Sequence, residues 1–523
     1  MQAPFYPILY VRGYAMTEAE RDETAADPFC GFNLGSTVYR ASIDKDAPPK
    51  RFFFESPVLR LSSDYGYGDV YEQGADIMDA EWKPRSGMQG IDAKSVIVYR
   101  YYDAGSTLFG DGKASTIEDY ALGLSRLILK VRELVCAQQA GALAPADFRC
   151  YLVAHSMGGL VVRAFLQNPA LGSAEARRAV DKVFTYATPH NGIDVAGLNV
   201  PGWFGANDMN NFNRKRMADY LNLGAAYEKY DRVDYVPESA FPLERMFCMV
   251  GTNRGDYEAA KGLSRTFVGN GSDGLVKIAN ASVWGLDDAN NVTGAAATAF
   301  SYRSHSGVYG IVNSEEAYQN LTRFLFGDVR VDLWLQVDEV RLPVEIENDD
   351  VDALYQFELQ ARARGKRWLL SRRISEEDSP ACRSHKQLRT QGAAGARNVY
   401  LSTVFLANSA KVSTADRTLS YAMDVRVRVP DYEKNNAFWP NQHYEGSYLF
   451  RDSLIVTLTP AAQPGGDWKV EYGWQSQSVG VADQSLSYTA LKGGKLRIEI
   501  ELPAPAVKPG IAGKVVLIAS AWN

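Results

Sequence analysis

Val153-Ala154-His155-Ser156-Met157-Gly158-Gly159 is the stretch on which the fold turns. It follows the apolar run Cys150-Tyr151-Leu152-Val153-Ala154 and precedes Leu160-Val161-Val162-Arg163-Ala164-Phe165-Leu166, so the order is strand, sharp turn, helix. A serine at such an elbow is held in a strained turn that exposes its hydroxyl above the sheet. The turn needs small residues two positions before and after it, and Ala154, Gly158 and Gly159 meet that demand. The helix starting there directs free N–H groups and its positive dipole end at the reacting centre. Ser156 is therefore the candidate nucleophile, and the Met157 N–H is a candidate donor to an oxyanion.

A serine hydroxyl is a poor nucleophile until a base removes its proton, and the base needs a carboxylate to fix its tautomer. The chain has five histidines. His155 adjoins the serine and is expected to point away from it; His385 and His443 fall in a β-rich tail; His190, in Ala187-Thr188-Pro189-His190-Asn191-Gly192, lies upstream of any later acid. His305, in Tyr302-Arg303-Ser304-His305-Ser306-Gly307, satisfies the order serine, acid, histidine. The best acid between them is Asp273, in Gly269-Asn270-Gly271-Ser272-Asp273-Gly274-Leu275-Val276, with Asp256 in reserve. A second oxyanion donor is expected after the first strand, where Gly13 of Arg12-Gly13-Tyr14 lets the backbone approach and the Tyr14 N–H point inward.

Around these residues, short apolar runs alternate with helical periods up to about residue 328, the pattern of a mostly parallel sheet with helices on both faces. The expected strands are Pro7 to Val11, Ser95 to Tyr99, Cys150 to Ala154, Val183 to Ala187 and Met246 to Val250, with an amphipathic helix from about Thr116 to Cys136. Two insertions interrupt the pattern. Residues 28–92 carry Phe52, Phe53, Phe54, Tyr65, Tyr67 and Tyr71, and residues 193–242 carry Trp203, Phe204, Tyr220, Leu221 and Leu223. Such insertions tend to build a pocket or a lid, although each aromatic taken singly reads more readily as local core packing.

From 329 to 523 the pattern changes to short alternating stretches: Val329 to Val337, Tyr355 to Ala361, Asn398 to Phe405, Tyr421 to Val429, Leu454 to Leu458, Lys495 to Leu502 and Gly513 to Ala519. Turn-rich segments separate them, so an all-β sandwich or barrel of unassigned role is expected after an α/β domain of residues 1–328.

Residues 5–327 resemble the α/β-hydrolase lipases and esterases, particularly the bacterial triacylglycerol lipase and PGAP1-like groups. The likeness rests on the strand leading to Gly13, the His155-Ser156-Met157-Gly158-Gly159 elbow, the Thr188-Pro189-His190 segment, and Ser272-Asp273-Gly274-Leu275-Val276. Ala154 stands where the family more often has Gly, and Arg12 where those lipases usually have His. The resemblance implies two-step acyl transfer on a lipid or other ester, lipase-like or phospholipase-like, with no cofactor. Bacterial lipases of this type often carry structural calcium, but no ligands for it are placed here, so no metal is expected. Peripheral contact with a membrane fits such a substrate. Three other readings stay open: an acyltransferase with the same triad, an inactive hydrolase fold whose β-rich tail binds a partner, and an antibacterial effector exported without a signal peptide.

Bulk properties narrow the classes further. In 523 residues, 46% are hydrophobic and 23% charged, which is ordinary for a globular chain and leaves room for more than one core. The net charge of −6 comes without a Lys/Arg-rich run, which argues against nucleic acid as a partner. No apolar run approaches the roughly 18 residues of a spanning helix, and the start of the chain has no basic stretch of a secretory signal. A soluble protein made in the cytoplasm is expected. The five cysteines Cys30, Cys136, Cys150, Cys248 and Cys382 form no CxxC pair and are expected to be small buried hydrophobes.

Overall fold

The computed structural model describes residues 5–13, 18–40, 50–108, 115–139, 143–195, 198–199, 209–255, 271–307, 309–366, 368–390, 394–410, 418–434, 442–461, 466–477, 482–503 and 508–523. The chain divides into two compact units. One comprises Pro4–Thr298 and Arg303–Leu321; the other is mainly Thr322–Asn523, with the short segment Ala299–Tyr302.

A seven-stranded sheet runs in the order Ala297–Ser301, Met246–Gly251, Val180–Tyr186, Cys150–His155, Ile8–Val11, Ser95–Val98, Gly68–Asp69, and all of its strands except the edge strand Ala297–Ser301, which the unit boundary crosses, lie in the first unit. Each neighbouring pair from Gly68–Asp69 to Met246–Gly251 is parallel. Ile8–Val11 and Cys150–His155 are buried along their whole length, which is why they read as continuous apolar runs rather than alternating ones. The architecture is thus α/β with a mostly parallel sheet and flanking helices, as the pattern predicts.

The longest helix, Ile117–Gln138, starts at a capping box in which Thr116 and Asp119 satisfy each other's backbone N–H. It buries Ile117, Tyr120, Leu124, Leu127, Ile128 and Val131 against the sheet core. The helix Gly158–Gln167, directly after the elbow, is buried on every side. The strand Ala297–Ser301 was not expected: Ala-Thr-Ala-Phe-Ser is too poor in large apolar residues to announce itself, yet all five residues are buried.

The second unit is all β. One sheet runs Asn398–Leu406, Val329–Arg341, Gly510–Ala521, Leu496–Glu501, Thr489–Ala490. The other runs Gln442–Glu445, Asp431–Lys434, Val351–Ala363, Leu419–Arg428, Tyr448–Thr459, Lys469–Trp474, Gln484–Ser485, and Ser371–Arg373 and Ala381–Ser384 also pair with Val351–Ala363. Side chains of both sheets, among them Val331, Leu333, Tyr355, Phe357, Tyr421 and Leu517, share one hydrophobic cluster, which makes the unit a sandwich. Leu419–Arg428 alternates buried and half-buried residues throughout, the signature of a strand with one face inward.

Among the described residues no helix is long and apolar enough to cross a membrane. Cys30, Cys150 and Cys248 are buried as expected; Cys136 is half-buried and Cys382 exposed, against that expectation. Both lie at element ends or edges where a small side chain is not enclosed.

Candidate active site

Ser156 follows the last residue of the central strand Cys150–His155, at the carboxyl end of the sheet, where α/β folds leave a crevice. Its backbone has φ of 52°, in the left-handed region that costs a non-glycine residue about 1–3 kcal/mol. The turn is held by the Ser156 N–H, which donates to the Tyr186 carbonyl at 2.9 Å. Close backbone approach explains the small residues around it. A Cβ on Gly158 would stand 2.1 Å from the Val11 carbonyl oxygen, and one on Gly159 would stand 2.2 Å from Thr188 Oγ1.

The structure brings the three polar side chains singled out in the sequence into one line. His305 Nε2 lies 2.8 Å from Ser156 Oγ, and His305 Nδ1 lies 2.9 Å from Asp273 Oδ2. All three residues are buried. A carboxylate accepts only, so Nδ1–H donates to Asp273, and Nε2 is left to accept from the serine hydroxyl.

Asp273 is itself fixed by its turn. Its Oδ1 accepts from the N–H groups of Leu275 and Val276, at 3.0 and 2.7 Å, which leaves Oδ2 for the histidine. Gly251, at the end of its strand, completes the fit, because a Cβ there would stand 2.8 Å from Asp273 Cβ. The sequence did not mark this glycine; it becomes legible only once the two loops are seen side by side. The reserve acid, Asp256, lies outside the described residues.

Of the two expected oxyanion donors, Met157 is buried beside Ser156, and its N–H has no hydrogen-bond partner among the described residues. Tyr14 lies outside the described residues. The residue before it, Gly13, is pressed against the elbow: a Cβ there would stand 2.3 Å from Ser156 Cβ. The Arg12 carbonyl accepts from Tyr101 Oη at 2.8 Å and from Tyr102 Oη at 3.3 Å, and the two hydroxyls lie 3.0 Å apart. This tyrosine pair was not anticipated, because it depends on the register between Ile8–Val11 and Ser95–Val98.

His190 and His385 have hydrogen-bond partners of their own. His190 is fully buried beside Thr185 Oγ1 at 3.1 Å and Cys248 Sγ at 3.7 Å, and burial, then the nearby Arg163, push its pKa well below the usual imidazole value. His385 lies in the second unit, with Nδ1 2.8 Å from Tyr355 Oη. His443 is on the strand Gln442–Glu445 of that unit. His155 packs beside His305, with its Nε2 2.9 Å from the His305 carbonyl oxygen and the ring centroids 5.0 Å apart.

The first insertion packs against the strand that leads to Gly13. Phe32 stacks on Tyr10 at 4.2 Å between centroids, and a Cβ on Gly31 would stand 3.1 Å from the Arg12 guanidinium. In the second insertion Tyr220, Leu221 and Leu223 join the core of the first unit, so they are packing residues; Trp203 and Phe204 lie outside the described residues. Among the described residues, no group of three or more His, Cys, Asp or Glu side chains is arranged to hold a metal ion.

No protein-family model matches the chain, and no curated protein matches it by sequence. Among solved structures it is similar to phospholipase PlaB from Legionella pneumophila, at 12% identity over 80% of this chain and 86% of that one, with a TM-score of 0.30. It is also similar to the lin2722 gene product of Listeria innocua, at 12% identity over 62% of this chain and 94% of that one, TM-score 0.26. An acetylxylan esterase shares 12% identity over 43% of this chain and 98% of its own, TM-score 0.20.

Proposed function

We propose that the chain is a serine hydrolase of carboxylic esters that works through an acyl-enzyme. The observation that carries this reading is the unbroken relay from Ser156 Oγ through His305 to Asp273, at 2.8 and 2.9 Å, with the serine at a positive φ. A hydrogen-bonded serine, histidine and aspartate in this order form the arrangement that activates a hydroxyl.

In the proposed cycle Ser156 Oγ attacks the ester carbonyl carbon while His305 Nε2 takes its proton. The oxygen of the tetrahedral intermediate is held by the Met157 N–H and, from the Gly13 loop, by the Tyr14 N–H. His305 then gives the proton to the departing alkoxide, the alcohol leaves, and the acyl group stays on Oγ. Water attacks this ester with His305 again as base; the acid departs and the serine recovers its proton. Asp273 keeps the imidazole in the required tautomer and stabilises the imidazolium in each half.

An apolar acyl chain is the substrate feature we favour. The first insertion stacks Phe32 on Tyr10 of the strand that leads to Gly13, and it leaves Leu34 and Leu59 exposed, 57% and 53% respectively. The test is hydrolysis of p-nitrophenyl esters from acetate to palmitate by the wild type and Ser156→Ala, with phospholipid acyl release measured beside it. Activity that rises with chain length and vanishes in the variant supports the reading. Turnover that survives Ser156→Ala overturns the nucleophile, and a preference for acetate overturns the lipid substrate.

A further inference from the structure

The proposed catalytic base is held at both ends of its own backbone. The His305 N–H donates to the Asp273 carbonyl at 2.9 Å, and the His305 carbonyl faces His155 Nε2 at 2.9 Å. A carbonyl can only accept, so His155 carries its hydrogen on Nε2 and leaves Nδ1 bare. Burial, then the neighbouring His305 and Arg12, hold the His155 pKa well below the usual imidazole value, which keeps the ring a neutral donor. No second positive charge then builds up next to His305 when it takes the serine proton.

The two anchors come from different parts of the fold. His155 ends the central strand and is followed directly by Ser156, whereas the Asp273 turn lies beyond the next two strands of that sheet, Val180–Tyr186 and Met246–Gly251. His155 is also wedged at the oxyanion loop, because a Cβ on Gly13 would stand 3.1 Å from its Nδ1. One imidazole thus touches the nucleophile's strand, the Gly13 loop and the backbone of the base.

We propose that His155 is a positioning residue: by donating its Nε2–H to the His305 carbonyl, it fixes the catalytic ring over Ser156 Oγ. This rests on the serine-hydrolase reading above. The demand is geometric, since an error of about 1 Å in a reacting group costs about 100-fold in rate, and groups that orient catalytic side chains matter nearly as much as those side chains. A ring that merely filled space would make a different prediction, because any side chain of similar volume would serve.

The amide nitrogen of Gln reaches the place of a histidine Nε2, whereas that of Asn reaches only the place of Nδ1. His155→Gln, His155→Asn and His155→Leu are therefore compared with the wild type for kcat and KM on a p-nitrophenyl ester. The rate of Ser156 labelling by a fluorophosphonate is measured in parallel, and thermal melts identify the folded variants. The expected result is a kcat for His155→Gln within about threefold of wild type, with losses of about 10-fold to 100-fold for Asn and Leu at unchanged KM. If Leu does not fold, the Gln and Asn pair decides. Equal kcat in Gln and Asn, or an Asn or Leu variant as fast as wild type, overturns the positioning role. A wild type whose Ser156 takes no label overturns the serine-hydrolase reading and the positioning role with it, so the two failures are told apart.

Discussion

Gly13 is pressed against the side chain of Ser156: a Cβ placed on Gly13 would stand 2.3 Å from Ser156 Cβ. No ordinary Cβ approaches another so closely, so the strand leading to Gly13 and the elbow fit only because one of them lacks a side chain. Gly13→Ala is expected to separate the two loops and lower kcat by about 100-fold, with a fall in stability of about 1–3 kcal/mol from overpacking. Ester kinetics and a thermal melt on the same preparation check both. An alanine variant with wild-type kcat would show that the Gly13 loop does not set the oxyanion geometry.

Asp273 uses Oδ1 on its own turn and Oδ2 on His305. Asp273→Asn keeps the size but can present an N–H where the imidazole needs an acceptor, which favours the wrong tautomer. The expected loss in kcat is about 10³-fold to 10⁴-fold with little change in KM. Asp256→Asn, run as the control, is expected to retain activity. The reverse result would move the acid to Asp256.

How much of this was legible beforehand depended on whether the constraint was chemical or spatial. Ser156 stood out because an elbow needs small flanking residues, and His305 because only five histidines were available to serve as its base. Strands such as Val329–Arg341 and Leu419–Arg428 showed through their alternation, whereas their order in two sheets did not, since pairing between distant strands leaves no local trace. The strand Ala297–Ser301 escaped because small residues can be buried without forming an apolar run. His155, Gly251 and the Tyr101–Tyr102 pair escaped for the same spatial reason: each acts on a residue carried by another strand or loop.

The Tyr101 and Tyr102 hydroxyls meet at the Arg12 carbonyl, the last but one before the expected Tyr14 donor. Tyr101→Phe and Tyr102→Phe keep the stacked rings, 4.2 Å apart between centroids, and remove only the grip on that carbonyl. Each is expected to lower kcat by about 3-fold to 10-fold, in line with one neutral hydrogen bond of about 1 kcal/mol. Because both hydroxyls act on one acceptor and on each other, the double variant should lose less than the product of the single losses. Multiplying losses would mean that the hydroxyls act independently.

Lys182, fully buried on the strand Val180–Tyr186, gives a prediction about stability alone. Burial, opposed by Asp181 and reinforced by Arg245, pulls its pKa down from 10.5 to about 7. Between those two values the unfolded chain holds a proton that the folded chain has shed. Stability from this group therefore rises with pH across that window and is lowest below about pH 7, where the buried amine must be charged. Lys182→Met removes the burden and is expected to raise stability by about 1–3 kcal/mol at pH 6, with the gain shrinking as the pH rises toward 10. Melting temperatures of wild type and variant from pH 6 to pH 10 test it. A gain that is constant with pH, or a loss at pH 6, would mean that Lys182 is charged and well paired where it is buried.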